Sequence, residues 1–157
     1  MDQDLAIRLA TAADAPAFVE LYGVLYESDG RLRDPALSPG WAEAHGAAYF
    51  GAALAGPSSA GFLAEAGGQS VGYLLARLYP ADAFRAATVA ELESMAVRPE
   101  WRRRGVGRAL ARAFVAWAHQ RQASHLRVTA YAGNQAAIAF YQRLGFAPHQ
   151  VTLEREL

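Results

Sequence analysis

A layered fold of the α/β or α+β class, with helices set against a central sheet, is predicted by three features of the sequence. Short β-forming runs alternate with stretches of helical period. Explicit stop and start signals stand between them, among them Ser38-Pro39, Gly56-Pro57, Gly67-Gly68 and Asn134. The composition is that of a folded chain: 53% hydrophobic and 11% aromatic over 157 residues, enough for a sizeable core in one domain covering residues 1–157.

Taken in order, Leu5 to Leu9 (LAIRL) alternates and reads as a first strand. A helix follows, with Phe18, Tyr22, Leu25 and Tyr26 on one face. Asp14 is a better N-cap for it than Thr11, because Pro16 then falls in the first turn, where a missing N–H costs nothing. Asp29 and Gly30 are expected to end it. Ser38-Pro39 and Gly56-Pro57 bracket a second helix carrying Trp41, His45, Tyr49 and Phe50. Two strands, Ser59 to Ala66 and Ser70 to Tyr79, meet at Gly67-Gly68, a hairpin signal. Thr88 to Val97 reads as a strand, and Val106, Leu110, Ala113, Phe114 and Trp117 recur at helical spacing after it. His125 to Ala130 is another strand. Asn134 caps a helix with Ala137, Phe140, Tyr141 and Leu144 on its face, and Gly145 closes it. Phe146 to Ala147 and Gln150 to Glu156 are expected to be short final strands.

Charge and composition narrow the function. Fifteen basic and fifteen acidic residues cancel, so no global charge marks nucleic acid or a membrane surface as partner. The absence of cysteine removes disulfides, thiolate nucleophiles and cysteine metal sites. Four scattered histidines make no metal spacing, so no metal is expected. Neither a signal peptide nor an apolar run of about 20 residues is present, which points to a cytoplasmic protein. A nucleic-acid-binding domain built on Arg102 to Arg104 lacks the basic aromatic face it would need.

Those arginines belong to Val97 to Leu110, VRPEWRRRGVGRAL, which joins a strand to a helix through Gly105 and Gly107. Glycines let a backbone approach a ligand, the first-turn amides are unpaired, and the helix dipole favours an anion. Arginines add charge-assisted hydrogen bonds to phosphate. The dinucleotide fingerprint G-x-G-x-x-G fails because Leu110 holds its third glycine position, and the triphosphatase loop fails for want of a lysine. The pattern that fits is [RQ]-x-x-G-x-[GA], at Arg102 to Gly107.

This segment resembles the acyl-CoA-binding motif of the GNAT superfamily, the acetyl-CoA-dependent N-acetyltransferases. The downstream NQAAIAFYQRLGF, Asn134 to Phe146, is similar to that family's second signature, N-x-x-A-x-x-x-Y-x-x-x-G-F. The resemblance implies an α+β GNAT fold, with a mixed central sheet and helices on both faces. It implies acetyl-CoA as donor and a primary amine of a small molecule or peptide as acceptor, attacked directly in a ternary complex. A homodimer is compatible with it, since many relatives dimerise. The amides of Arg103, Arg104, Gly105, Val106, Gly107 and Arg108 would then cradle the pyrophosphate beside Arg102. The main chain of Met95, Ala96 and Val97 would pair with the pantetheine arm where the fourth and fifth strands splay apart. Asn134 would touch the cofactor as well as capping its helix. By the same resemblance Glu93 is the base, directly or through water, with Glu91 the substitute of equal strand parity. A bulge in this strand would change which of the two faces the acceptor. Tyr141 would stabilise the departing thiolate. Tyr22, Tyr26, Glu27, Trp41, Tyr49, Tyr79, Asp82 and Glu91 are the candidates for the acceptor side. A non-catalytic acyl-CoA-binding module on the same fold is the alternative, although such a module has no need of Glu93 or Tyr141.

Overall fold

The computed structural model describes residues 4–157. Its five-stranded sheet has the order β1-β2-β3-β4-β5. β1 (Ala6–Leu9), β2 (Ser59–Ala66), β3 (Gln69–Tyr79) and β4 (Val89–Val97) are antiparallel neighbours, whereas β5 (His125–Val128) runs parallel to β4. The mixed sheet is therefore present. Gly67 and Gly68 turn the β2–β3 hairpin at φ of 56° and 75°, the pair of left-handed conformations that a two-residue turn of this twist demands.

Each face of the sheet is apolar and covered by helices. On one side Phe62, Ala64, Leu74, Ala90 and Leu92 meet Val106, Leu110, Phe114 and Trp117 of α4 (Val106–Gln120). On the other, Leu63, Tyr73, Leu75 and Ala96 meet Phe18 and Leu21 of the first helix, α1 (Ala15–Leu25), and Phe50 of α3 (Ala47–Ala55). Helix and sheet approach closely at Gly61, where a Cβ would run into Leu54 and lie 2.7 Å from Phe18. Between those helices lie a π-helical segment, Tyr26–Gly30, the single turn α2 (Arg31–Arg33), and a second π-helical segment, Ala42–Gly46. After the sheet's centre come α4 (Val106–Gln120) and α5 (Gln135–Arg143).

Three expectations about local structure are corrected. Asp29 and Gly30 do not end the first helical path, which continues to Arg33. Gly30 is buried there with helical backbone, φ −56° and ψ −52°, and the end of the Leu37 side chain packs over it, so this glycine is no stop. The helical path also opens earlier, with a 3₁₀ turn at Ala12–Asp14. Asp14 is the N-cap position of α1 with Pro16 in the first turn, as expected, but its side chain makes no forward cap; the carboxylate accepts from the Thr11 N–H at 2.8 Å and from Arg8 at 2.8 Å. Finally, no strand forms after Gly145: residues 146–157 have no regular structure and are exposed from Ala147 onward. An isolated run of alternating residues holds no ladder without a neighbour to pair with.

A bulge in β4 is the feature that positions the site. Leu75 pairs with Ser94 and Ala76 with Leu92, so Glu93 is the extra residue that opposes nothing on β3. The alternation slips by one at this point. Ala90 and Leu92 face α4, yet so do Met95 and Val97. Both Glu93 and Ser94 are thereby freed from strict alternation.

Beneath the bulge, Tyr73 is fully buried between Phe18 and Phe50, with ring centroids at 5.1 and 6.2 Å. Its hydroxyl makes no hydrogen bond of good geometry among the described residues, although the Ser94 side chain of the bulge lies close enough to act on it. A buried orphan of this kind costs about 1–3 kcal/mol. Tyr73→Phe is therefore expected to raise the thermal midpoint by roughly 2–12 °C, measured by calorimetry. A lower midpoint would show that the hydroxyl is satisfied, by the Ser94 side chain or by a buried water. No helix among the described residues is long and apolar enough to cross a membrane.

Candidate functional site

The site is a fork in the sheet. β4 and β5 pair only from Val89↔His125 to Leu92↔Val128, while β4 runs on to Val97. From Glu93 to Val97 the β5-side edge of β4 is open, as a polar chain lying alongside it would require. At the end of that edge the strand turns through a 3₁₀ turn, Pro99–Trp101, into α4. Arg103 and Gly105 both take left-handed backbone, at φ of 61° and 83°. Turns of this kind make concave nests of amides that suit anions. Gly105 is the N-cap of α4 and has no side chain to offer, and the first helical bond is Ala109 N–H to Gly105 C=O at 2.9 Å. The amides of Val106, Gly107 and Arg108 are thus left without intrahelical partners.

The arginines divide into braces and free charges. Arg102 donates through Nε to the Val97 carbonyl at 3.0 Å and through Nη2 to Ser28 Oγ at 3.3 Å, so it holds the turn to the strand end. It also takes up the Val97 carbonyl, which leaves Met95 and Ala96 as the main chain still open to a ligand. Arg104 stacks over Trp101, 5.3 Å from the ring centroid. Arg103, Arg104 and Arg108 are exposed and have no carboxylate within salt-bridge distance among the described residues. A neutral chain therefore carries an uncompensated positive patch at one helix start.

Glu93 stands where the fork opens. Its Oε1 accepts a short hydrogen bond from the Tyr49 hydroxyl of α3, and its Oε2 accepts from Arg77 Nε of β3 at 2.8 Å. Burial pushes the carboxyl above its ordinary value. Each oxygen keeps one lone pair free, so the group is oriented but still able to accept a proton. Glu91 has a different fate. Its carboxylate forms a close ion pair with Arg127 of β5, whose guanidinium lies 5.0 Å from the centroid of Tyr79. Glu91, Arg127 and Tyr79 fasten the paired end of β4 and β5, below the fork.

Tyr141 lies on α5 against Phe140 and Phe146, at centroid distances of 5.2 and 5.8 Å. Burial, and secondarily the negative charge of Asp29, push its phenol up to about 12. Asn134 accepts from the Ala137 N–H at 3.1 Å, as a cap should, and donates to Asp29 at 3.0 Å. Arg33 holds the same carboxylate at 2.6 Å. The segment Ser28–Asp29 thus touches both the phosphate-like turn, through Arg102, and the start of α5, through Asn134. It bridges the two arms of the fork.

The aromatic acceptor candidates form one wall. Trp41 meets Tyr22 at 5.3 Å and Tyr49 at 5.4 Å, edge to face. Tyr26 is half-buried in the bridging segment, close enough to Tyr22 to raise its phenol further beyond the effect of burial. Glu27 points outward and pairs with Arg31 at 2.9 Å, and Asp82 accepts from the Phe84 and Arg85 amides of its own loop, which lowers its carboxyl. Neither is drawn toward the fork. Sequence reasoning missed Arg77 and Asp29. Arg77 is a charge on an apolar strand, a signal that acquires meaning only once the β3–β4 register is known; Asp29 reads in the sequence as part of a helix end.

A model of the acetyltransferase (GNAT) family matches residues 25–146 of the chain. An aminoglycoside N(6')-acetyltransferase type 1 of Stenotrophomonas maltophilia is 31% identical over 143 residues, which cover 89% of this chain and 84% of that protein. An uncharacterized N-acetyltransferase of Methanocaldococcus jannaschii is 28% identical over 145 residues; the match takes in 92% of this chain but spans 62% of that relative's length. The fold is similar to that of an aminoglycoside N-acetyltransferase solved in complex with CoA, with a TM-score of 0.77, 21% identity and coverage of 99% of this chain and 97% of that one.

Proposed function

The chain belongs to the acetyltransferase (GNAT) family, and from that premise we propose that it acetylates a primary amine of a small polyamino acceptor, of the aminoglycoside kind, with acetyl-CoA as donor. One observation carries the reading: β5 leaves β4 at Leu92, and the next residue is the bulged, oriented carboxylate of Glu93. A ligand seated in the fork would therefore end beside a base. The acceptor class is supported by the relative from Stenotrophomonas maltophilia, and by a wall of Tyr22, Trp41 and Tyr49 that suits a cationic sugar amine.

The residues present fit acetyl-CoA. The uncapped amides of Val106 to Arg108, with Arg103 and Arg108, suit a pyrophosphate, and the open edge at Met95 and Ala96 suits an amide-bearing arm. Bound there, acetyl-CoA supplies the thioester carbonyl that the amine attacks. Glu93 accepts the amine proton at a free lone pair, directly or through a water. Reference values of ~4.3 for Glu and ~10.4 for an alkyl ammonium make direct transfer uphill by roughly 8 kcal/mol. Burial narrows that gap by raising the carboxyl, whereas the Arg77 guanidinium paired with it works the other way, so Glu93 takes the proton as the amine attacks and its acidity rises. Tyr141 stays protonated and donates a hydrogen bond toward the departing sulfur.

The test is release of free thiol from acetyl-CoA across polyamines, aminoglycosides, amino acids and peptides. Stimulation by aminoglycosides is expected. Stimulation confined to peptides would overturn the acceptor class, and a flat panel with acetyl-CoA binding intact would favour a non-catalytic binder.

A further inference from the structure

The helix that carries Tyr141 is thinly packed. α4 buries Val106, Leu110, Ala111, Phe114, Trp117 and Ala118, whereas no residue of α5 is buried. Phe140 lies over Gly107, where an added Cβ would stand 3.5 Å away, and Tyr141 packs only in part against the core. A misplacement of about 1 Å can cost roughly 10²-fold in rate, so a hydrogen-bond donor on such a helix needs a further restraint.

The restraint on the page is polar and comes from across the fork. The Asn134 amide is spent at both ends: Oδ1 accepts from the Ala137 N–H at 3.1 Å, and Nδ2 donates to Asp29 Oδ1 at 3.0 Å. That assignment is forced, because only an amide oxygen can cap the helix and only an amide nitrogen can serve a carboxylate. Arg33, four residues on, holds Asp29 from the other side at 2.6 Å. Its Nη1 lies against the Gly133 backbone, where an added Cβ would come within 3.0 Å of it, and Asp34 accepts from the Tyr131 hydroxyl at 3.4 Å. Three residues of one short stretch thus meet positions 131, 133 and 134, the approach to α5. Given acetyl transfer as proposed, with Tyr141 the partner of the leaving sulfur, we propose that Asp29 is a positioning residue: it anchors the start of α5 through Asn134 and so aims the Tyr141 hydroxyl. Asp29 touches neither donor nor acceptor in this role. Its charge adds to the rise of the Tyr141 phenol, second to burial, so carboxylate and phenol share one field.

Asp29→Ala is expected to lower kcat about 10-fold. The dissociation constant for acetyl-CoA is expected to stay within about twofold, because the helix-start amides and the open edge of β4 are untouched. In the chain without ligand, the α5 amides are expected to exchange about 10-fold faster, the equivalent of one charge-assisted hydrogen bond, while those of β3 and β4 keep their protection. Asp29→Asn keeps an oxygen for Asn134 and is expected to recover most of the rate. Asn134→Ser keeps a capping hydroxyl but loses the donor to Asp29, so it is expected to reproduce the losses of Asp29→Ala. The double variant is expected to be no slower than either single one. Unchanged α5 exchange in Asp29→Ala would overturn the anchor and leave an ion pair with Arg33. Faster exchange with unchanged kcat would overturn the link to Tyr141. Additive losses in the double variant would give Asp29 and Asn134 separate roles, and an asparagine variant as slow as the alanine one would make the charge, not the bond, the effective part. A wild-type chain inactive towards every amine would defeat acetyl transfer itself, and the exchange measurement would still decide the anchor.

Discussion

Replacing Tyr141 by phenylalanine is expected to lower kcat by about 10²-fold while leaving the dissociation constant for acetyl-CoA essentially unchanged. The split follows from the phenol's surroundings. Burial and the charge of Asp29 push it up to about 12, against a thiol reference of ~8.5, so full proton transfer to a leaving thiolate would be uphill by roughly 5 kcal/mol. A donor that keeps its proton avoids that cost. Its hydrogen bond strengthens as negative charge gathers on the sulfur, so it acts on the transition state far more than on the bound ground state. The ring packing against Phe140 and Phe146 survives in phenylalanine, so the fold and the binding of the donor arm are preserved. Steady-state kinetics with isothermal titration of acetyl-CoA measures both quantities. Unchanged kcat would remove Tyr141 from the mechanism, and a weakened donor complex would make it a binding residue instead.

The pairing of a buried donor with an oriented acceptor was legible in the sequence only in part. Features whose signals are local stood out: the Gly67-Gly68 hairpin, the cap at Asn134, the closing Gly145, and the buried face of Val106, Leu110, Phe114 and Trp117 all lie where the pattern predicts. Features that depend on a partner across the fold did not. Glu93 and Glu91 share strand parity in the sequence, and only the slip at Leu75–Ala76 separates one at the fork from one tied to Arg127. Arg77 and Tyr49 are unremarkable until β3 and α3 bring them to the same carboxylate. Gly30 looks like a helix stop because nothing local reveals that the chain stays helical through it under Leu37. The C-terminal run has the alternation of a strand, and alternation reports a face to bury, not the edge that will bury it. That edge is a property of the neighbour.

Replacing Glu93 by glutamine is expected to lower kcat/KM by about 10²-fold and to abolish the acid limb of its pH profile. Glutamine still accepts from Tyr49 at one oxygen, so the aromatic wall should keep its place while the proton acceptor is lost. The wild-type limb is expected above the ordinary glutamate range, because burial raises this carboxyl. The same shift fixes the sign for stability. With the folded value above the unfolded one, protonation favours the folded chain; that contribution is fully present below the unfolded value and is lost as pH rises through the folded value. At neutral pH the buried carboxylate is thus a cost, offset by the bonds from Tyr49 and Arg77. The glutamine variant should therefore lose less stability than wild type as pH rises from the acid range to neutrality. Kinetics and thermal midpoints collected over that range test the two halves separately. A variant that keeps its acid limb would assign the limb to another group and leave Glu93 as an orienting partner of Tyr49. Loss of the limb with kcat/KM unchanged would mean that the amine arrives neutral and sheds its proton to water without help. Only the joint loss of rate and limb makes the bulged carboxylate the base at the fork.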